Sequence, residues 1–492
     1  MLTNITLENF KAFQKLDNLQ IKPITILCGT NSCGKSSILQ SILMLKQTLE
    51  NKNPNQNLLL NGRFVKLGYF QDVVFRKKEE NDVRIVLDFN NGSFRVSDYG
   101  LLGGNEKSIV YHSAYDYNYL THIELKLRIN SNESNYQLFF LKIKLGAYWA
   151  KIDDYENLGE IEIKNIDKYF YKISWNNISI NGLYQGELKE KLNFSNLFIL
   201  NIDLSKELSS KERAEKTQPF VNLIRILDVV NSVLKDIYAQ YSYIGPLRGE
   251  PEREYIYRDE VREIGNKGEN AAFLYLSERE KQIKNHYFYN LANDNFEKNE
   301  NISLKDALNQ WLTLMKIQNF DAEIIHRIIY LSQNASKFDT TKVGIADVGF
   351  GVSQIFPIVL EGLRLQNGGT LLLEQPEIHL HPNLQMQMAD YFIALALSGK
   401  RVMIETHSDH IINRLVRRIV EDEKHHLRNL IGIYFIKPSE NGSVYEPIVV
   451  DDTKGIVNWP TDFFDQTATE QMRIMQAGLK KRRNQRNHTK NL

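Results

Sequence analysis

Four stretches carry residue types at spacings suited to a nucleoside triphosphate. Gly29-Thr30-Asn31-Ser32-Cys33-Gly34-Lys35-Ser36, followed by Ser37, fits G-x-x-x-x-G-K-[ST] without mismatch. Backbone N–H groups of such a loop, with the N-terminus of the next helix, surround a β-phosphate. Lys35 brings a point charge to the β/γ oxygens, and the Ser36 hydroxyl is a ligand for Mg²⁺. "GGTLLLEQPEIHLHP" reads as a buried strand ending in Glu374, a carboxylate that orders magnesium through its water shell. Upstream, "ADVGFGVSQ" places Gly349, Gly351, Ser353 and Gln354 where helical apolar spacing begins, which suits a second anion site. Downstream, "RVMIETHSDH" ends a strand at Thr406-His407-Ser408, and His407 can bond a γ-phosphate or an attacking water. The pairs His379/His381 and His407/His410 lack a Cys or Asp at matching spacing, so no metal is expected there.

These residues need a strand, a loop and a helix to hold them. The first 27 residues alternate apolar and polar, as paired strands do, and "SSILQSILMLKQTLE" after the glycine loop has helical spacing. Residues 82–180 are short alternating runs separated by Asn, Gly, Ser and Asp, an antiparallel β region. Residues 205–240 and 266–330 switch to helical period, without an apolar heptad long enough for an extended coiled coil. A second nucleotide-type segment spans 341–435, then a hairpin "IGIYFIKPSENGSVYEPIVV" and a basic tail "GLKKRRNQR" expected to fray.

Composition bounds the partners. The 492 residues are 42% hydrophobic and 25% charged with a formal net charge of +1, which argues against coating nucleic acid by charge alone. The 24 Tyr and 24 Phe suit sheet and packed core. The two cysteines, Cys28 and Cys33, exclude a disulfide framework, and the chain reads as cytoplasmic and reduced. No run approaches the length of a membrane span, and the N-terminus lacks a signal-peptide layout.

The order of phosphate loop, long insertion, Gly/Ser signature turn, Walker B strand with proline, and switch His resembles the ABC-type ATPase head of the SMC, RecF and OLD-like group. "YIGPLRGEPEREY" (243–255), "VGFGVSQ", "EQPEIHLHP" and "IVNWPTDFFDQ" (456–466) are similar to AAA-family RecF/OLD-like ATPases of bacterial defence islands. The resemblance implies an α/β P-loop NTPase fold with inserted antiparallel β and helical regions. It divides the chain into an N-terminal head lobe (1–81), a β-rich insertion (82–200), a helical region (201–340), a C-terminal head lobe (341–440), and a hairpin with basic tail (441–492). It implies ATP and Mg²⁺ as cofactors and head-to-tail dimers or higher oligomers. In these, Gly349 to Gln354 would contact the γ-phosphate bound by the opposite chain. Gln71, in "LGYFQDVVF", is implied as a Q-loop residue beside magnesium. SMC-type arms are missing, and too little chain follows 435 for the TOPRIM nuclease of OLD proteins, so cutting is expected of a partner.

On the ABC pattern L-D-E-P, Gln375 stands where the general base stands. An amide can orient a water but cannot take its proton. Losing one placed catalytic group costs on the order of 10²–10³ in rate, about 3–4 kcal/mol. Glu377 two residues on is one rescue, and catalysis by positioning alone is another. An introduced Glu→Gln exchange is a third reading, against which the branch's own "EQPE" favours a native Gln. The leading expectation is a slow ATPase acting as sensor or clamp in anti-phage defence with a separate effector, a nuclease or toxin. A RecF-like repair ATPase that binds DNA, and a nucleotide-gated scaffold without turnover, are the alternatives. DNA or a phage component is a further candidate ligand; the tail residues Lys480, Lys481, Arg482, Arg483 and Arg486 are the cations to touch it.

Overall fold

A computed structural model describes residues 1–51, 58–78, 80–95, 119–132, 135–148, 155–167, 170–180, 183–195, 199–202, 227–228, 230–257, 261–460, 470–479 and 481. The alternating N-terminal runs form an antiparallel pair, β1 (Leu2–Phe10) and β2 (Phe13–Gln20). The apolar run that follows is β3 (Ile24–Gly29), and the glycine loop leads from it into α1 (Lys35–Glu50). A short helix, α2 (Phe70–Val73), precedes seven strands: β4 (Val83–Arg95), β5 (Tyr119–Asn132), β6 (Asn135–Tyr148), β7 (Tyr155–Asp167), β8 (Phe170–Ile180), β9 (Leu183–Ser195) and β10 (Ile199–Ile202).

Next come β11 (Tyr241–Ile244), β12 (Tyr255–Ile256), α3 (Ala271–Glu278), β13 (Gln282–Asn290), β14 (Asn295–Ser303), α4 (Leu304–Leu314), β15 (Asp321–Ile325), β16 (Ile328–Asn334) and β17 (Lys342–Gly344). The C-terminal part of the head is α5 (Gly351–Arg364), β18 (Thr370–Glu374), α6 (Pro382–Leu397), β19 (Arg401–Glu405), α7 (Asp409–Glu421), β20 (Ile431–Ser439) and β21 (Gly442–Pro447).

Among the described residues fifteen strands make one sheet, ordered β10-β9-β8-β7-β6-β5-β4-β1-β2-β21-β20-β3-β19-β18-β11. The run β20-β3-β19-β18-β11 is parallel. Parallel strands buried on both faces need apolar residues at successive positions, and "LLL" in β18 and "VMI" in β19 supply them. Leu372 and Met403 face one core with α1, while Leu371, Leu373, Val402 and Ile404 face the other with α5 and α6. The chemistry-bearing residues lie past the carboxyl ends of these strands, where open α/β sheets place ligands.

Three boundaries differ from the sequence expectation. The β region starting at 82 is not set apart, because β4 pairs with β1 and continues the head sheet edgewise. The described residues of 201–340 are mixed rather than helical. α4 follows the expected period and is capped by Ser303, whose Oγ accepts from Asp306 N at 3.0 Å. Around it, β13 and β14 form a hairpin and β15 pairs with β16, since these runs carry β-branched and aromatic residues in windows too short for a stable helix. β11 goes further and joins the parallel core. The hairpin β20–β21 crosses the expected boundary at 440, and β20 runs parallel to β3 as part of that core. The helix expected from 205 is described only from 227 onward, and residues 461–469, 480 and 482–492, with most of the basic tail, lie outside the described residues.

Candidate active site

The loop after β3 depends on two glycines. Gly29 has φ 140, and a Cβ there would fall 1.9 Å from the Ile436 carbonyl oxygen. Gly34 has φ 91, and a Cβ would fall 2.6 Å from the Ala12 Cβ. Only glycine lets the backbone run this close to β20 and to the β1–β2 turn. Lys35 is buried, and its ammonium donates to the carbonyls of Gly29 (3.2 Å) and Thr30 (2.6 Å) and approaches Cys33 Sγ at 3.7 Å. Asn31 and Ser32 are exposed at the loop tip, and Ser37 N bonds Gly34 O at 3.0 Å. No side chain caps α1, and its first turn has no acid, so its N-terminal dipole is left for an anion.

Two carboxylates meet the loop from the neighbouring strands. Glu374 ends β18 and Glu405 ends β19, paired directly across the parallel ladder. Ser36 Oγ donates to Glu405 Oε1 at 2.9 Å, and Tyr243, from β11, donates its hydroxyl to Glu374 Oε1 at 2.9 Å. Burial, then the charge of Glu405, pushes the Glu374 carboxyl up to about 7, against the opposing hydrogen bond from Tyr243. Burial also raises Glu405, opposed by its Ser36 bond and the charge of Lys35. Glu405 is 4% exposed and its Oε2 has no hydrogen-bond partner. An orphaned buried carboxylate oxygen beside a second acid and a loop hydroxyl fits a divalent cation.

The turn after β18 joins this pair to the switch strand. Gln375 has φ 46; its N–H donates to Glu405 O at 2.7 Å, and its carbonyl accepts from Arg248 Nη2 at 2.8 Å. Glu377 turns back to the end of β19, where its Oε2 accepts from Thr406 Oγ1 (2.8 Å) and its Oε1 from His407 N (2.6 Å). Burial raises the Glu377 carboxyl. His407 is held below the ordinary imidazole value, first by burial and then by the charge of Lys35, which keeps it neutral beside the phosphate loop. Arg248 is 6% exposed and is lowered to about 10 by burial, against the attraction of Glu377. Its Nε reaches Gln354 Oε1 at 3.1 Å, so one guanidinium ties the start of α5 to the end of β18.

The sequence-chosen residues therefore divide. Gly29 to Ser36, Glu374, Gln375, Glu377 and His407 converge on one end of the parallel sheet. Gly349 is exposed and Gly351 half-buried, but Ser353 Oγ donates inward to Phe350 O at 2.8 Å and Gln354 is engaged by Arg248. Gln71 is exposed on α2, and among the described residues no hydrogen bond joins it to Ser36 or Glu374. Its four-residue helix is tied to the β1–β2 turn, where Lys11 N bonds Val73 O at 2.6 Å. Glu405, Arg248 and Tyr243 were given no role from sequence. Glu405 was legible as an acid closing a buried strand; Arg248 and Tyr243 lay inside the quoted "YIGPLRGEPEREY" with nothing to reveal their burial.

Among the described residues no helix is long and apolar enough to cross a membrane. No curated protein matches the chain. Among solved structures it is similar to an SMC head domain from Thermotoga maritima, at 8% identity, TM-score 0.38, covering 91% of this chain and 99% of that one. It is also similar to an SMC head bound to the C-winged helix domain of ScpA, at 10% identity, TM-score 0.43, covering 92% and 98%. Likenesses of this degree assign no function. A protein-family model described as an AAA ATPase domain matches residues 1–412. With the phosphate loop, the paired strand-end acids and a parallel core in place, the chain belongs to the AAA ATPase domain family, as an α/β P-loop, nucleotide-binding ATPase.

Proposed function

We propose that this chain is a slowly turning ATP switch in the cytoplasm, closing as a head dimer around ATP and Mg²⁺. The observation that carries this reading is the end of β18. Gln375 has no proton-accepting group, and both oxygens of Glu377 already accept bonds from Thr406 and His407. Lys35 and the α1 N-terminus bind the phosphates, and Gln375 orients the water. Ser36 and Glu374 would hold a divalent cation whose contribution, when bound, would be to offset charge on the β/γ oxygens. Neutral His407 donates to the terminal phosphate or accepts from the attacking water, and Glu377 fixes its backbone. The rim at Gly349 and Phe350, which are exposed, with half-buried Gly351, meets the partner's nucleotide.

Single-turnover hydrolysis tests the reading. Gln375→Glu raises the rate by ~10²-fold, and Glu377→Gln lowers it further by disconnecting His407. Fast native hydrolysis, unchanged in Glu377→Gln, overturns the slow-switch reading. The wider role, a sensor or clamp in anti-phage defence with a separate effector, rests on the motif resemblance. Phage challenge of cells carrying the native locus, intact or with Lys35→Ala, tests it: loss of protection in the variant supports the role, and equal plating on both rejects it.

A further inference from the structure

The parallel end of the sheet closes on β11, the last strand in its order. Alternate residues of a strand turn their main-chain groups to opposite sides. Thr370 N donates to Gln240 O at 3.0 Å on the β18 side, whereas Gly245 N donates away from β18, to Asn266 O at 2.8 Å. The N–H and C=O of Tyr241 and Tyr243 therefore point outward with Gly245. Among the described residues no hydrogen bond reaches these groups. They do not open on bulk solvent. Both tyrosines are 8% exposed, and they line a cavity of about 420 Å³ together with Ala239 and Phe64. Residues 262–266 line it too, and this segment is pinned on two sides. Asn266 Nδ2 donates to Arg63 O and Glu263 pairs with the Arg63 guanidinium at 2.7 Å, while Arg364 Nη2 donates to Arg262 O at 3.5 Å. Among the described residues its one main-chain bond to the β11 edge is the one at Gly245.

We propose that this cavity takes an extended peptide segment of a partner protein, which pairs its main chain with Tyr241 and Tyr243 and adds a strand beyond β11. Donors and acceptors left unpaired in a cavity are stabilised by a ligand that repeats the complementary groups at the same period, and an extended peptide does so. Charge narrows the occupant further. Of the ions lining the cavity, Arg364 is held by Glu278 and Glu361, Lys281 by Glu278, Lys46 by Glu50, and Glu263 by Arg63. Arg262 is exposed and has no ion pair among the described residues. The docked segment accordingly carries an acidic side chain where it passes Arg262. Docking acts on the main chain of β11, away from the phosphate loop, and the proposal holds whether or not the chain hydrolyses ATP.

Selection from a phage-displayed library of random decapeptides on the full chain, in EDTA and without nucleotide, tests this. Fluorescence anisotropy of the best binder, synthesised and labelled, then gives its Kd. The expected binder carries an acid, and its Kd is weakened ~10-fold or more in Arg262→Glu and in Ala239→Trp, which fills the cavity from an exposed position. Thermal melts matching the wild type show that both variants are folded. N-methylation of alternate peptide amides abolishes binding in one parity and leaves it within about threefold in the other, because only one edge of the added strand faces β11. That comparison uses the unaltered chain, so it stands even where a variant fails to fold. No enriched peptide, or a binder whose affinity is the same in Ala239→Trp and Arg262→Glu as in the wild type, overturns the proposal. Equal loss from either N-methylated parity also overturns it, and assigns the cavity to a ligand held by side chains.

Discussion

Gln375 sits in a left-handed backbone, φ 46, that non-glycine residues adopt at a cost of roughly 1–2 kcal/mol. Two bonds hold it there, from its own N–H to Glu405 O and from Arg248 to its carbonyl. On the proposed reading, the Gln375 side chain that would orient the water is aimed by a guanidinium bonded only to its carbonyl. Arg248→Ala and Arg248→Lys both remove the fork, because a lysine cannot reach Gln354 and two carbonyls at once. Both variants are expected to lower kcat tenfold or more while KM for ATP stays within about threefold, as positioning is lost and phosphate binding is kept. Steady-state kinetics check this; a change in KM alone contradicts the positioning role.

At the scale of elements, α6 and α7 are locked by a buried ion pair. Arg418 on α7 donates from Nε to Asp390 Oδ1 at 2.8 Å and from Nη2 to Oδ2 at 3.3 Å, and its guanidinium lies 3.9 Å over the Tyr289 ring of β13. Asp390 is pushed up by burial even so. Arg418→Ala removes both short bonds to that buried acid and leaves it only Arg414 Nε at 3.7 Å, a loss of up to about 3–5 kcal/mol, read as a drop in the urea midpoint. On β13, His286 is 2% exposed and is lowered to about 4, first by burial and then by Lys400. Between its ordinary 6.5 and about 4 the imidazole is neutral in the fold and protonated in the unfolded chain. The unfolded state then binds the extra proton, so stability is intact above pH 6.5 and is lost as pH falls toward 4, by ~3 kcal/mol at most. His286→Asn is expected to flatten that acid limb in thermal melts taken across the same pH range.

The phosphate loop and the Gly349 rim belong to one chain, and the proposed head dimer would have each chain complete the other's site. Gly349 is exposed and a Cβ there meets nothing within 4 Å, so substitution leaves the fold alone. Gly349→Arg is therefore expected to bind ATP as the wild type does but to stay monomeric with ATP in sedimentation, where the wild type dimerises. Dimerisation of both argues for a different interface. The β4–β10 extension of the same sheet is an additional surface joined to β1 by the β1–β4 ladder.

Local rules sufficed for the phosphate loop, because its strand, glycines and helix are contiguous and each is legible from period and residue type. The apolar runs ending at Glu374 and Thr406 were visible for the same reason. The sequence by itself therefore determined that a triphosphate site is built, and from which loop and strands. What only the tertiary structure decided is which distant residues share that site. β11 lies beside β18 across a long sequence separation, which brings Tyr243 and Arg248 to the Walker B end. The insertion of β19 between β3 and β18 sets Glu405 against both Ser36 and Glu374. Strand order in a sheet is a long-range choice made by packing both apolar faces at once, and no local pattern encodes it.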